Sequence, residues 1–308
     1  MNERITEKSQ PNDRNYQIGT ASFRARPIEP GLYIVATPIG NLGDMTLRGI
    51  EVLAAADIIA CEDTRVSRVL LDRYGIARRP YAYHEHNAET VGPKLVEALL
   101  AGKSVALVSD AGTPLISDPG GRLVPEAKAA GIRIVPIPGP SAVLAALTAC
   151  GLLKDSFFFA GFLPSKQGQR RTKLEQLKPL DAALVFFESP NRASNTLLDM
   201  VEVFGGSRKA ALCRELTKTF ETIVTLPLSE LAAEFDSEDR IRGEVVLVVG
   251  PPEVDALAPR SDEDVDNVLR ALSLEMSPSK AAGEASRMTG RPKAELYQRL
   301  LSMKQVGP

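Results

Sequence analysis

From Gly31 onward the chain alternates short apolar runs with segments whose apolar residues recur every three or four positions. The runs are LYIVAT at 32–37, DIIAC at 57–61, YAYH at 81–84, SVALVSD at 104–110 and IRIVPI at 132–137. The segments between and after them, 46–56, 64–75, 88–102, 121–131 and 140–151, have helical spacing, and most end on a glycine suited to a helix C-terminus. Runs that are apolar on both faces and separated by single helices predict a parallel sheet covered on both sides.

After Leu152 the rhythm changes. SFFFAGFLP, LVFFES, ALCREL, FETIVTL and GEVVLVVG read as strands, with helices over 168–178, 191–205 and 228–235. Two of these strands follow one another closely enough to be neighbours, so a second α/β domain with a mixed sheet is expected. PPEVDALAPRSDED then reads as a linker, followed by a helix-turn-helix pattern in which Gly290 ends one helix and Pro292 opens the next. The expected domains are a mobile tail over 1–29, an α/β domain over 30–153, a second over 154–251, a linker over 252–263 and a small helical domain over 264–308.

Composition narrows the partners. The net charge is −2, so no global basic field exists and a nucleic acid would have to be held by local patches. Cys61, Cys150 and Cys213 have no CxxC spacing, which argues against a zinc site or a disulfide framework and fits a reducing cytoplasm. The N-terminus is unlike a signal peptide, and no apolar stretch is long enough for a bilayer, so no membrane role is expected.

Candidate chemistry sits at the strand ends, where open parallel sheets bind ligands. TPIGN follows the first strand, SDAGTPLISDPGG the fourth and PGPSA the fifth. Glycine and proline let a ligand approach the backbone there, and none of the loops carries Lys or Arg. A ligand with positive charge and no phosphate suits Asp110.

These motifs carry a resemblance. YIVATPIGNLGDMTLRGIEVLAAADIIACEDTR, ALVSDAGTPLISDPG and IVPIPGPSAVLAAL resemble the tetrapyrrole methylase superfamily. EDTRVSRVLL, YHEHN, FFESPNR and CRELTKTFET resemble, more narrowly, the bacterial ribosomal RNA small subunit methyltransferase I family. The resemblance implies two α/β domains of the tetrapyrrole methylase type, a homodimer, and S-adenosylmethionine bound between the domains. It implies methylation of a cytidine ribose 2′-hydroxyl in the decoding region of 16S rRNA, with the small ribosomal subunit or its precursor as the expected substrate. It also implies cofactor contacts at Pro38, Gly40, Asp110, Gly112, Thr113, Ser141 and Ala142, with Phe187 on the adenine side.

Several charged clusters are candidates for catalysis or RNA contact. Glu62 and Asp63 follow the second strand, where they serve catalysis, or Asp63 caps the next helix. His84, in His84-Glu85-His86, suits a hydrogen-bonding or general-base role better than a metal. Arg214 and Lys218 lie between two strands of the second domain and are expected to meet phosphate or to lower the pKa of the attacking hydroxyl. Lys166, Arg170, Arg171 and Lys173 form the clearest basic cluster and are expected, with Arg192, to contact the RNA backbone. Lys280, Arg287, Arg291 and Lys293 offer a second basic surface. The expected activity is therefore rRNA 2′-O-methylation. A tetrapyrrole methylase on the same scaffold and a non-catalytic RNA-binding assembly factor are the alternatives.

Overall fold

The computed structural model describes residues 14–117, 121–236, 242–252 and 262–305. Asp118, Pro119 and Gly120 of the SDAGTPLISDPGG loop and most of the expected linker lie outside the described residues. Two compact units emerge. One holds the described residues up to Ala149 together with Cys213–Ile223 and Gly243–Val246; the other holds the remainder. The segment 213–223, expected within the second domain, thus falls with the first unit.

The expected tail is partly ordered. β1 (Asn15–Ile18) and β2 (Ala21–Arg24) form an antiparallel hairpin whose two-residue turn has Gly19 at φ +61. Tyr16 stacks on Phe23 at 5.5 Å, Gln17 N–H donates to Tyr74 O at 2.7 Å, and Ala25 is buried. Both strands are mostly exposed, so they lack the alternating apolar signal that betrays a strand in sequence.

The first main sheet contains β3 (Gly31–Val35), β4 (Ile58–Cys61), β5 (Pro80–Ala82), β6 (Ser104–Val108) and β7 (Ile134–Ile137). They run in the order β5-β4-β6-β3-β7, and every pair is parallel. Side chains alternate between two cores. Tyr33, Val35, Ile59, Cys61, Ala106 and Val108 enter one, while Leu32, Ile34, Ile58, Ala60, Val105 and Leu107 enter the other. Burial on both faces explains why these strands read as unbroken apolar runs. Helices α1 (Leu47–Ala55), α2 (Thr64–Arg73), α3 (Ala88–Leu100), α4 (Leu123–Ala129) and α5 (Ala142–Cys150) connect or follow the strands.

The second main sheet is mixed, in the order β11-β10-β12-β9-β8. Its strands are β8 (Phe157–Phe162), β9 (Ala183–Glu188), β10 (Lys209–Arg214), β11 (Thr222–Pro227) and β12 (Val245–Val249). α6 (Gln167–Leu177), α7 (Pro190–Phe204) and α8 (Leu228–Glu234) accompany them. Toward the C-terminus, α9 (Asp262–Glu275), α10 (Pro278–Thr289) and α11 (Lys293–Gln305) share a core of Val265, Leu269, Ala282, Ala285, Leu296 and Leu300. Gly290 takes the left-handed cap expected of it, at φ +69. The sequence reading names α10 and α11 but not α9, whose first turn of Asp262, Glu263 and Asp264 is a favourable helix start. No helix among the described residues is long and apolar enough to cross a membrane.

Leu107 on the central strand β6 is 2% exposed. Leu107→Ala is expected to lower unfolding free energy by about 2–5 kcal/mol. Urea titration checks this, and a loss below about 1 kcal/mol would contradict the packing described.

Candidate functional site

Parallel strands deliver their loops to one edge of the first sheet, and four of those loops are tied together there. Thr37, just past β3, and Gly112, in the loop after β6, exchange backbone hydrogen bonds of 2.8 and 3.0 Å. Thr113 Oγ1 donates to Pro140 O at 3.3 Å, which adds the loop after β7. Asp63 N–H donates to Asp110 Oδ1 at 3.0 Å, which adds the loop after β4. The loop after β6 is strained: Leu115 and Ser117 take left-handed φ values of 77 and 65. Such strain persists where surrounding structure over-determines it, as at ligand clamps.

These ties adjoin a cavity of about 320 Å³, toward the small end of the roughly 300–1,000 Å³ range for small-molecule sites. Ile39 and Asp44 come to it from the first loop, Thr46 from the start of α1, Pro140 and Ser141 from the loop after β7, and Thr217 from the β10–β11 turn. Two helix starts border it. Thr46 Oγ1 caps α1 by accepting from Gly49 N–H at 3.1 Å, and Ser141 Oγ accepts from Leu144 N–H at 3.5 Å. Helix N-termini favour a carboxylate, whereas Asp44 favours a cation. No Lys or Arg is among the lining residues. The cavity therefore suits a small ligand carrying both charges and no phosphate chain. Gly139 must stay bare there, because a Cβ would stand 3.0 Å from Ala36 Cβ.

The expected cofactor contacts are distributed as follows. Ser141 lines the cavity, and Ala142 opens α5 behind it. Asp110, Gly112 and Thr113 belong to the ties, and Pro38 is buried immediately after Thr37. Gly40 lies under Lys218, whose Cγ would be 2.5 Å from any Cβ at that position. Phe187 belongs to the second unit, where its ring meets Phe159 and Phe162 edge-on at 4.8 and 5.6 Å. Sequence reading does not single out Asp44, Thr46 or Thr217. Thr46 before an apolar helix run is a legible cap, but nothing in the local pattern marks Thr217.

The proposed catalytic side chains have distinct states. Asp63 does cap α2, accepting from Arg65 N–H at 2.8 Å, and its carboxylate also grips the Arg65 guanidinium. Those hydrogen bonds from the Arg65 side chain and backbone hold its pKa down at about 2, which makes it a poor proton acceptor near neutral pH. Lys218 Nζ donates to Glu215 Oε1 at 3.0 Å and lies 3.2 Å from Glu244 Oε2. Burial works against its charge, but the bonds to Glu215 and Glu244 outweigh that and hold it above the ordinary lysine value. Lys218 is thus a fixed cation and not a base. Glu62 is half-buried before α2. Among the described residues no group of three metal-ligating side chains occurs. The His84 ring meets that of His86 at 6.0 Å, its backbone N–H donates to Asn87 Oδ1 at 2.9 Å, and its Nδ1 is buried without a partner among the described residues.

The basic cluster requires a correction. Arg170 is 5% exposed, and its Nε donates to Asp199 Oδ2 at 2.6 Å; it also donates to Ser165 O. Arg171 Nε donates to Asp199 Oδ1 at 2.7 Å and its guanidinium pairs with Glu202. Arg170 is therefore an internal strut between α6 and α7 and not an RNA contact. A carboxylate as deeply buried as Asp199 requires such partners. Lys166, at the start of α6, is exposed and Lys173 half-buried. Arg192 spends its guanidinium on Leu163 O and Pro164 O at 2.7 and 3.1 Å, and Arg214 is half-buried at the end of β10. In the C-terminal helices Arg287 pairs with Glu284, and Arg291 with Asp262 and Glu295, so two of the four cations of the second basic surface are paired, while Lys280 and Lys293 are exposed.

Comparison with known proteins agrees with this geometry. Residues 31–232 match the tetrapyrrole (corrin/porphyrin) methylases, and residues 259–304 match the RsmI C-terminal HTH domain. A cobalt precorrin-4 methyltransferase shares the fold with a TM-score of 0.55 at 17% identity, covering 71% of this chain and 94% of that one. Uroporphyrin-III C-methyltransferase from Thermus thermophilus does so with a TM-score of 0.52 at 21% identity, covering 72% and 94%. The fold is that of the tetrapyrrole-type methylases. Ribosomal RNA small subunit methyltransferase I of Mesorhizobium japonicum is 62% identical across 94% of this chain and 97% of its own length. The Vibrio cholerae protein of the same name is 47% identical across 87% and 93%. This chain belongs to the ribosomal RNA small subunit methyltransferase I family.

Substitution and titration test this electrostatic picture. Asp199→Ala should cost about 3–5 kcal/mol of stability by stranding buried guanidinium groups, while Lys166→Ala should leave the melting temperature unchanged. Burial raises the Asp199 pKa, but bonds from Arg171, Gln167 and Arg170 outweigh it and keep the carboxyl low. Its contribution is thus complete above about pH 4 and fades as pH falls through the lowered native value. Carboxyl NMR titration should find the Asp63 midpoint at about 2; an ordinary midpoint near 4 would contradict the Arg65 clamp.

Proposed function

We propose that the protein is an S-adenosylmethionine-dependent methyltransferase of small-subunit ribosomal RNA, and that it methylates the ribose 2′-hydroxyl of a cytidine in the decoding region of 16S rRNA. The observation that carries this reading is the 62% identity, over nearly the whole chain, to a protein named ribosomal RNA small subunit methyltransferase I. The cavity fits the cofactor. A sulfonium and an α-carboxylate on one small molecule match Asp44 and the helix starts at Thr46 and Ser141, all of which line the cavity, while Asp110 belongs to the tied loops that adjoin it.

When bound, S-adenosylmethionine supplies an activated methyl group on sulfur. The chain's own residues then have to orient the acceptor and dispose of its proton. Orientation is worth roughly 7–11 kcal/mol of barrier, and the tied loops are built to provide it. The ribose hydroxyl is a weak nucleophile and loses its proton as the carbon–oxygen bond forms. With Asp63 clamped by Arg65 and Lys218 held protonated, His84 is the acceptor in this reading. Lys218 instead supplies a fixed positive charge for phosphate or for the developing alkoxide. Lys166, Lys173 and Arg214 contact the RNA backbone, and the active form is a cytoplasmic homodimer. The tetrapyrrole alternative is disfavoured because the chain carries the match to the RsmI C-terminal HTH domain beyond the methylase region.

Tritiated methyl transfer from S-adenosylmethionine to purified small subunits, followed by nucleotide mapping, tests the activity. Label on one cytidine ribose is expected; label on a tetrapyrrole, or none on RNA, would overturn it. Sedimentation should give the mass of a dimer. Asp110→Asn keeps an acceptor for Asp63 N–H but removes the charge. It should weaken the sulfonium cofactor roughly tenfold more than its neutral thioether product, and equal losses in calorimetry would contradict the role of Asp110.

A further inference from the structure

Thr217 reaches the cavity wall from the β10–β11 turn, yet the mechanism above gives it nothing to do. Two unfavourable features coincide in it. Its backbone takes φ +66, a left-handed conformation that is a genuine outlier for a β-branched residue. Its hydroxyl oxygen is buried and has no hydrogen-bond partner among the described residues. Buried polar groups are almost always paired, and an orphan calls for an explanation.

The surroundings show how the turn is kept in place. Thr217 N–H donates to Glu221 Oε2 at 2.7 Å, and Lys218 N–H donates to Glu215 O at 3.0 Å. Glu215, itself at φ +52, accepts from Lys218 Nζ and from Glu244 N–H, both at 3.0 Å. Gly243 has to be glycine for this, since a Cβ there would stand 2.0 Å from Glu215 Oε1. The stem of Lys218 then lies against Gly40, in the loop that also supplies Ile39 and Asp44 to the cavity. A mesh of carboxylates therefore holds one threonine in a disfavoured backbone shape, and that residue lines the cavity and carries an unpaired hydroxyl.

We propose that Thr217 Oγ1 is a direct hydrogen-bonding contact to the S-adenosyl ligand, and that Glu215, Glu221 and Lys218 are the residues that position it. This rests on reading the cavity as the cofactor site. A threonine hydroxyl offers one donor and two acceptor lone pairs, so it can serve an amino-acid or a ribose group of the ligand. The bound ligand supplies the partner that the folded chain withholds.

Calorimetry with S-adenosylhomocysteine tests the assignment on the full-length protein. Thr217→Val keeps the branched shape and loses the hydroxyl, and should bind about 5- to 15-fold more weakly than wild type. Thr217→Ser keeps the hydroxyl and should bind within about twofold. Thr217→Gly releases the strained backbone as well, so it should melt no lower than wild type while binding as weakly as the valine variant; it serves as the readout if valine compromises folding. Wild-type affinity in both the valine and glycine variants would overturn the inference and leave the cofactor reading standing. Failure of folded wild-type protein to bind the ligand would overturn both.

Discussion

The paired backbone hydrogen bonds between Thr37 and Gly112 are the constraint on which the site depends. β3 and β6 are neighbours in the sheet, but strand pairing ends before their loops begin. The Thr37–Gly112 bridge prolongs the contact beyond the strands and pins two strand-tip loops to one another. Gly112 meets this with φ +79, which a residue with a side chain rarely adopts. Thr113 extends the tie to Pro140, and Asp110 extends it to Asp63. Loops that would otherwise be mobile surface connections become a single framed edge. In the reading proposed above, that edge is what holds one small molecule in one orientation.

Several of the charged side chains named as candidates are committed to one another before any substrate arrives. Lys218 is committed to Glu215 and Glu244, Asp63 to Arg65, and Arg170 and Arg171 to Asp199. Each pairing fixes a side chain at the expense of its reactivity as an acid or base. This agrees with a reaction whose donor is already activated and whose main demand on the protein is alignment. In the reading proposed above, the absence of Lys and Arg from the cavity lining also suits a sulfonium, which a free lysine there would repel.

Most of the architecture was legible in the sequence. The first sheet follows directly from apolar runs such as SVALV and LYIVA, because both faces of those strands are buried. The N-terminal hairpin was not legible, since its strands are largely exposed and carry no alternating pattern. Helix α9 was hidden by the acidic, proline-rich stretch before it. In the site, glycine and proline marked the loops after β3, β6 and β7, and Asp63 as a cap could be read from its place before an apolar helix. Arg170 was misread because a run of cations looks like a surface patch, while its partner Asp199 lies 29 residues away on another helix. Thr217 could not be found at all. Its significance lies in a backbone angle and an absent hydrogen bond, and neither leaves a trace in residue type.

Hydrogen–deuterium exchange with and without S-adenosylhomocysteine tests the central claim most directly, because it reads the framed edge loop by loop. The account predicts that the ligand slows exchange together in residues 37–46, 110–113, 139–145 and 215–218. Protection absent from these segments, or confined to the helices from 262 to 305, would contradict it.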